Sequence, residues 1–275
     1  MALAQDARRQ DPDRSLCALF MPPARRDEVF GLLLLNQELA RVPDLASEPL
    51  AAQIRFRWWH DAIAETAARG TFSHPALQAL APALADARLK VDDLDPLFEA
   101  RTQDLDGLQP TDLGVLDRYV ADTAGTVQTA TLAILGHREP HLVHAAQEAG
   151  TAFGLVGIVR AVAYEAQRQR VRLPKDTIGR EGVSTSEILA VRMSEGLGRA
   201  VRAMLDRADS KLEEARRVAV TPPRTALPAL LPGHLAALYA AMIRRAGCDP
   251  FVAAQIGRPA STPLRLMADM VLRRF

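Results

Sequence analysis

The chain has 275 residues, 48% hydrophobic and 24% charged, the composition of a globular protein with enough apolar material for a sizeable core. Its 34 lysines and arginines against 33 acids exclude a global field that would draw it to nucleic acid, so no nucleic-acid partner is expected. Two cysteines, Cys17 and Cys248, with no CxxC pair, exclude a disulfide framework and a zinc cluster and point to a reducing compartment.

The opening MALAQDARRQDPDR has no apolar h-region and is not read as a secretory signal; residues 1–12 are expected as a flexible tail. No stretch reaches the roughly eighteen uncharged apolar residues of a membrane span, and LLLL at 32–35 is too short. A soluble protein with no transmembrane segment is expected, with peripheral membrane contact left open. From here helix formers dominate and no apolar/polar alternation persists. Pro22 and Pro23 open a helix over about 24–42, which Pro43 closes. Ser47 and Pro49 open a second, running through IRFRWWHDAIAETAAR to Gly70 at the C′ position. A third follows Ser73, with Pro82 as a break. The stretch 92–106, DDLDPLFEARTQDLD, reads as a fourth, its first acids placed where the macrodipole favours them.

Thr111 caps a fifth helix that runs to Gly136, and a sixth starts near Pro140 in a region ended by Pro174. Ser184 and Glu187 form a capping box for a long amphipathic helix over about 185–218. A linker, TPPRTALP at 221–228, precedes shorter helices at about 229–246 and 250–257 and another after Pro263. With no internal repeat and no composition break, one all-α helical-bundle domain over 1–275 is predicted.

Several stretches raise the question of chemistry. AGT at 124–126 and AFGLVG at 152–157 put glycine inside helices, for close helix packing or for a thin pocket wall. HLVH with Glu148 sets His141, His144 and Glu148 on one helical face, a spacing that suits either a metal or an exposed polar face. DDLD at 92–95 looks like an acidic metal motif, but its place at a helix start reads as capping. RQRVRLPK gathers Arg168, Arg170, Arg172 and Lys175 after a helix end, more cations than the macrodipole needs; a phosphate, an anionic lipid head or an acidic surface are the options, beside a solvated face. Adjacent Trp58 and Trp59 cannot share one face, so one is expected in the core. NQELARVPD, 36–44, ends the first helix with a carboxamide, acids and a base.

In order, these pieces resemble the squalene/phytoene synthase family. The resemblance is carried by DRSLCALFMPPARRDEVFGLLLLNQELARV, by IRFRWWHDAI, by LDRYVADTAGTVQ with Tyr119, Ala124, Gly125 and Val127, and by GTAFGLVGIVRAVAYEAQRQRVRLP with Arg170, Leu173 and Pro174. It implies an isoprenoid-synthase-like bundle. In active members two aspartate-rich motifs on facing helices hold Mg²⁺, which neutralises a departing diphosphate as two prenyl diphosphates are joined. Here the first motif falls on Ala40, Arg41, Val42, Pro43 and Asp44, and the second on Ala161, Val162, Ala163, Tyr164 and Glu165. One acid is left in each, and Arg41 is expected to set a cation where a metal would sit. The departures resemble a non-synthase branch that includes a mitochondrial assembly factor for respiratory complex I. That resemblance implies a pseudoenzyme without a cofactor, with complex I subunits as partners, in a bacterial-type cytoplasm or a mitochondrial matrix, peripheral at the inner membrane. Two rivals stay open. One is a prenyltransferase, with Mg²⁺ only in that case, whose diphosphate is held by Arg41, Arg160, Arg168 and Arg170. The other is an isoprenoid or lipid carrier with a central cavity of several hundred Å³.

Overall fold

The computed structural model describes residues 2–46, 48–70 and 73–275. Met1 of the expected tail and Ser47, the expected helix opener, lie outside the described residues. Among the described residues the regular structure is helical: α1 (Ala2–Gln10), α2 (Pro12–Ala18), α3 (Pro23–Leu45), α4 (Pro49–Arg69), α5 (Pro75–Ala85), α6 (Asp95–Gln103), α7 (Leu113–Val120), α8 (Thr126–Ile134), α9 (Pro140–Gln167), α10 (Lys175–Arg180), α11 (Thr185–Leu189), α12 (Glu195–Val218), α13 (Leu227–Arg245), α14 (Pro250–Ala253) and α15 (Thr262–Leu272).

Two of these helices are interior, and their sequences say why. In α3 the run from Glu28 to Asn36 is buried without a break, so FGLLLLN has no solvent face. It lies against α5, where Gly31 lets the backbones meet: a Cβ there would fall 2.7 Å from the Ala76 carbonyl oxygen. α9 buries alanines, valines and leucines on several faces and runs between α12 and α13 on one side and α7 and α8 on the other. One buried apolar cluster surrounds α9, α12 and α13; a second joins α3, α4, α5 and α8. Both α9 and α13 are long and apolar enough to cross a membrane by length and composition, but 61% and 67% of their apolar windows are buried against neighbouring helices.

Several sequence expectations need correction. The stretch expected as a tail is helix α1, packed on α3 with Ala7 fully buried, and Asp11 then caps α2 by accepting from Arg14 N at 3.0 Å. Pro43 does not close α3, which continues to Leu45; in the last turn a proline removes a single intrahelical bond. Pro82 likewise sits inside α5, and the bond it forgoes is to the carbonyl of exposed Gln78. The fourth element is α6 flanked by 3₁₀ turns at Val91–Leu94 and Asp104–Asp106. Asp112, not Thr111, caps α7, accepting from Val115 N at 2.9 Å. A π turn, Ala121–Gly125, separates α7 from α8. The Ser184–Glu187 capping box forms as read but serves only α11; Ser194 supplies a second cap and the long helix starts at Glu195.

Candidate functional site

The C-terminal ends of α3 and α9 come near enough that one arginine side chain reaches the acid left on each. Gln169 takes a left-handed backbone, φ 58°, and Arg170 N bonds back to the Glu165 carbonyl at 3.0 Å. That turn folds Arg170 over the end of its own helix. Its Nε donates to Glu165 Oε2 at 2.7 Å and its Nη1 to Asp44 Oδ1 at 2.9 Å. One guanidinium therefore bridges the two acids left in the two motifs. Burial works against its charge, and the bonds to Asp44 and Glu165 outweigh that and push its pKa up.

A second layer lies behind this bridge. Arg172 reaches Asp104 Oδ1 at 2.8 Å and comes within 3.9 Å of Glu165. The Tyr119 hydroxyl donates to Asp104 Oδ2 at 3.1 Å and accepts from Arg101 Nη1 at 3.0 Å. Burial, ahead of the neighbouring charges, pushes the Tyr119 phenol up, so it stays a neutral donor. Asp104 was not visible as a site residue in the sequence; it looked like one more acid on a solvated helix, yet its side chain is only 4% exposed. The available signal is its spacing, i+7 from the fully buried Leu97 and i+3 from Arg101, which carries the inward side of α6 into the turn that follows it.

The other candidate residues separate. Arg41 is exposed and forms no ion pair among the described residues, so the cation between the acids is Arg170. Arg160 lies at a different place: it stacks on the Tyr239 ring at 3.9 Å and, with Arg258 and the Tyr239 hydroxyl, surrounds the Asp13 carboxylate. Arg168 stacks on the exposed Tyr164 ring at 3.7 Å, with Asp44 3.9 Å away. Lys175 is exposed at the start of α10. Ala40 and Ala161 are partly buried and bring no charge. His144 pairs with Glu214 and Glu148 with Lys211, both across to α12, while His141 is exposed. In DDLD, Asp93 accepts from Lys90 N at 2.7 Å and pairs with Arg138, as capping requires. Trp59 is core and Trp58 half exposed.

The central space between α3, α7 and α9 is small. Gly150 and Gly154 close it by letting α9 ride onto the π turn: a Cβ on Gly154 would fall 2.4 Å from Val120 Cγ1, and one on Gly150 2.7 Å from the Ala124 carbonyl oxygen. What is left is a cavity of about 140 Å³ lined by Arg14, Asn36, Arg101, Tyr119, Gly157 and their neighbours. A larger pocket of about 560 Å³ adjoins the site, lined by Asp104, Tyr119 and Arg172 with Leu108, Val115 and Leu116, while openings of about 490–530 Å³ lie elsewhere, such as that between Phe56 and Phe98.

A helical bundle in which two interior helices bring paired acids to one end of a central cleft is the architecture of the isoprenoid synthases. A squalene synthase, HpnC from Alicyclobacillus acidocaldarius, superimposes with a TM-score of 0.77 over 91% of this chain and 95% of its own, at 22% identity. A dehydrosqualene synthase crystallised with a ligand gives 0.85 over 98% and 94%, at 16% identity. The chain belongs to the squalene/phytoene synthase family, whose model matches residues 7–265. Among curated relatives, the human protein named complex I assembly factor 6 is 30% identical over 82% of this chain and 67% of its own length. Its Bos taurus counterpart is 27% identical over 98% and 80%. The chloroplastic phytoene synthase 1 of Arabidopsis thaliana is 26% identical over 74% of this chain and 49% of its own.

The residues present do not fit the Mg²⁺ cluster of the active family members. Four of the motif acids are replaced, and the remaining two share a tethered guanidinium that a divalent ion would have to displace. Among the described residues no group of three or more His, Cys, Asp or Glu side chains is placed to hold a metal ion.

Proposed function

We propose that this chain is a non-synthase member of its family that acts by binding, as an assembly factor for respiratory complex I. The observation that carries the reading is Arg170 between Asp44 and Glu165. A synthase needs a mobile divalent cation that meets the diphosphate as it leaves. A guanidinium tied to the loop supplies neutralisation to the protein's own acids, with both bonds already used. The relatives named as complex I assembly factors support the choice of partner. The location that goes with this reading is a mitochondrial matrix or a bacterial-type cytoplasm, peripheral at the inner membrane.

The site favours this reading over the two rivals. Arg41 and Arg160 do not converge with Arg168 and Arg170, so no metal-free diphosphate clamp forms from those four. A carrier of long isoprenoids needs an apolar cavity of roughly 300 Å³ or more; the central one is about 140 Å³, and the pocket of about 560 Å³ beside Tyr119 and Arg172 is lined largely by polar and charged side chains. Two measurements test the proposal. Purified protein with farnesyl or geranylgeranyl diphosphate and Mg²⁺ should give no C30 or C40 product. Deleting the gene in a host that makes complex I should lower assembled complex, and a wild-type copy should restore it. Turnover to a C30 or C40 hydrocarbon, or normal complex I in the deletion, defeats the reading.

A further inference from the structure

Helix α15 turns its apolar side away from its own protein. Leu264, Met267, Ala268, Val271 and Leu272 follow the i, i+3, i+4, i+7, i+8 spacing that ordinarily faces a core. Here all of them are exposed, the larger side chains by 53–68%. The opposite side carries Leu266, Met270 and the one acid of the helix, Asp269, which is buried and held by His234 at 2.6 Å. A single exposed leucine is normal on a protein surface; an unbroken apolar face on one helix marks a contact surface. Val220, 78% exposed, extends this face, since it and Arg274 line one groove beside the end of α15.

The charge around the face selects its partner. Between Gln255 and Phe275 the basic residues are Arg258, Arg265, Arg273 and Arg274, and the only acid is the buried Asp269. Arg265 borders the apolar stripe. Arg224 lies in the loop that Arg273 ties to the end of α15 by donating to the Pro222 carbonyl at 3.1 Å. Arg265 and Arg224 are both exposed and form no ion pair among the described residues. Pairing with a second copy of the chain would set these arginines against one another, so the face is not built for self-association. The stripe itself holds no hydrogen-bonding side chain that a folded partner could read. Fluid acyl chains accept such a stripe while anionic headgroups meet the arginines.

We propose that α15 lies in the interface of an anionic lipid bilayer, with Leu264, Met267, Val271 and Leu272 among the acyl chains and Arg224, Arg265 and Arg274 at the headgroups. The inference rests on the peripheral location proposed above and names the face that makes the contact.

Co-sedimentation of the full chain with vesicles of phosphatidylcholine and phosphatidylglycerol, against phosphatidylcholine alone, is the test. Binding to the mixed vesicles should be saturable, roughly tenfold or more tighter than to the neutral ones, and weakened by salt. Met267→Gln combined with Val271→Gln should lower that binding roughly tenfold or more, because it removes apolar area from the lipid contact. The melting midpoint of this double variant should match the parent, since both side chains face solvent in the free protein. Arg265→Gln should weaken binding at low salt and leave it unaltered at high salt. Absence of binding to the mixed vesicles overturns the proposal, as does undiminished binding by the double variant, which puts the lipid contact on another face. A parent dimer that the double variant dissolves in sedimentation velocity also overturns it, in favour of a second copy. If the chain ignores vesicles and the double variant still lowers complex I assembly, an acidic protein covers the face and the lipid is refuted. The vesicle assay contains no complex I, so its failure leaves the assembly reading standing, and normal complex I in the deletion leaves the vesicle result standing.

Discussion

Replacing Arg170 with alanine tests the central claim. The substitution takes from Asp44 and Glu165 the guanidinium they share at 2.9 and 2.7 Å, leaving only Arg168 and Arg172, each 3.9 Å from one of them. Exposed ion pairs contribute about 0–1 kcal/mol, and breaking a buried one costs about 3–5 kcal/mol. The side chains here are 26% exposed for Arg170, 15% for Glu165 and 35% for Asp44, between those limits. A loss of about 2 kcal/mol follows from that placement, or a drop of roughly 4–8 °C in melting midpoint for a chain of this size. Urea unfolding should show the loss at low salt and a smaller one at about 0.5 M salt, because the Asp44 side is open to screening. The variant should also gain what the parent lacks: stabilisation by millimolar Mg²⁺, since two converging carboxylates attract a divalent ion once the tethered charge is gone. A variant as stable as the parent and indifferent to Mg²⁺ would mean that Arg170 is an ordinary surface arginine, and the metal-replacement reasoning would be refuted.

Gly157→Ala should stabilise by about 1 kcal/mol, the helix-propensity gain with no clash to offset it. Gly150→Ala, two turns earlier on α9, should instead cost about 1–3 kcal/mol, because its Cβ meets the Ala124 carbonyl and the Gly125 Cα; chemical denaturation of both variants gives the signs directly. Asp13→Ala strips a carboxylate that is 10% exposed from between Arg160, Arg258 and Tyr239 and should cost about 3 kcal/mol by urea unfolding, since two half-buried guanidiniums and a buried phenol lose their shared partner. Hydrogen bonds from Arg217 and His144 hold the exposed Glu214 carboxyl down at about 2, against an ordinary value of 4.5. Its contribution is therefore present above pH 4.5 and lost as pH falls through about 2, so Glu214→Gln should flatten that part of the acid-unfolding curve followed by circular dichroism.

The fold was legible because its signals are local. Proline at N1, glycine after Arg69 and the wholly apolar run in α3 each specify their own stretch, and each reappears where it was read. The errors fall where a local signal was given too long a reach. A proline near a helix end stops nothing, and a capping box says where a helix starts but not how far it runs. The α1 segment looked like a tail because its helix is polar on most sides; only its docking on α3 fixes it.

The site was half legible, and the reason is physical. Loss of the motif acids is a statement about positions, so it could be read directly, and it pointed to a cation taking the metal's place. Which cation could not be read. Arg41 stands inside the first motif and is the natural candidate, three residues before Asp44 on the same helix, yet it is exposed and forms no ion pair among the described residues. Arg170 does, because the left-handed Gln169 reverses the chain beyond α9 and delivers a long side chain across both acids. The same reversal sends Arg172 inward to Asp104, so the basic run RQRVRLPK is mostly an internal counter-charge rather than a surface for phosphate. Keeping two acids at the cleft mouth obliges the protein to keep a positive charge there. With that charge tethered by its own loop, the space behind it is left as a cavity of about 140 Å³ whose arginines, Arg14 and Arg101, are already paired with Asp11 and Asp104.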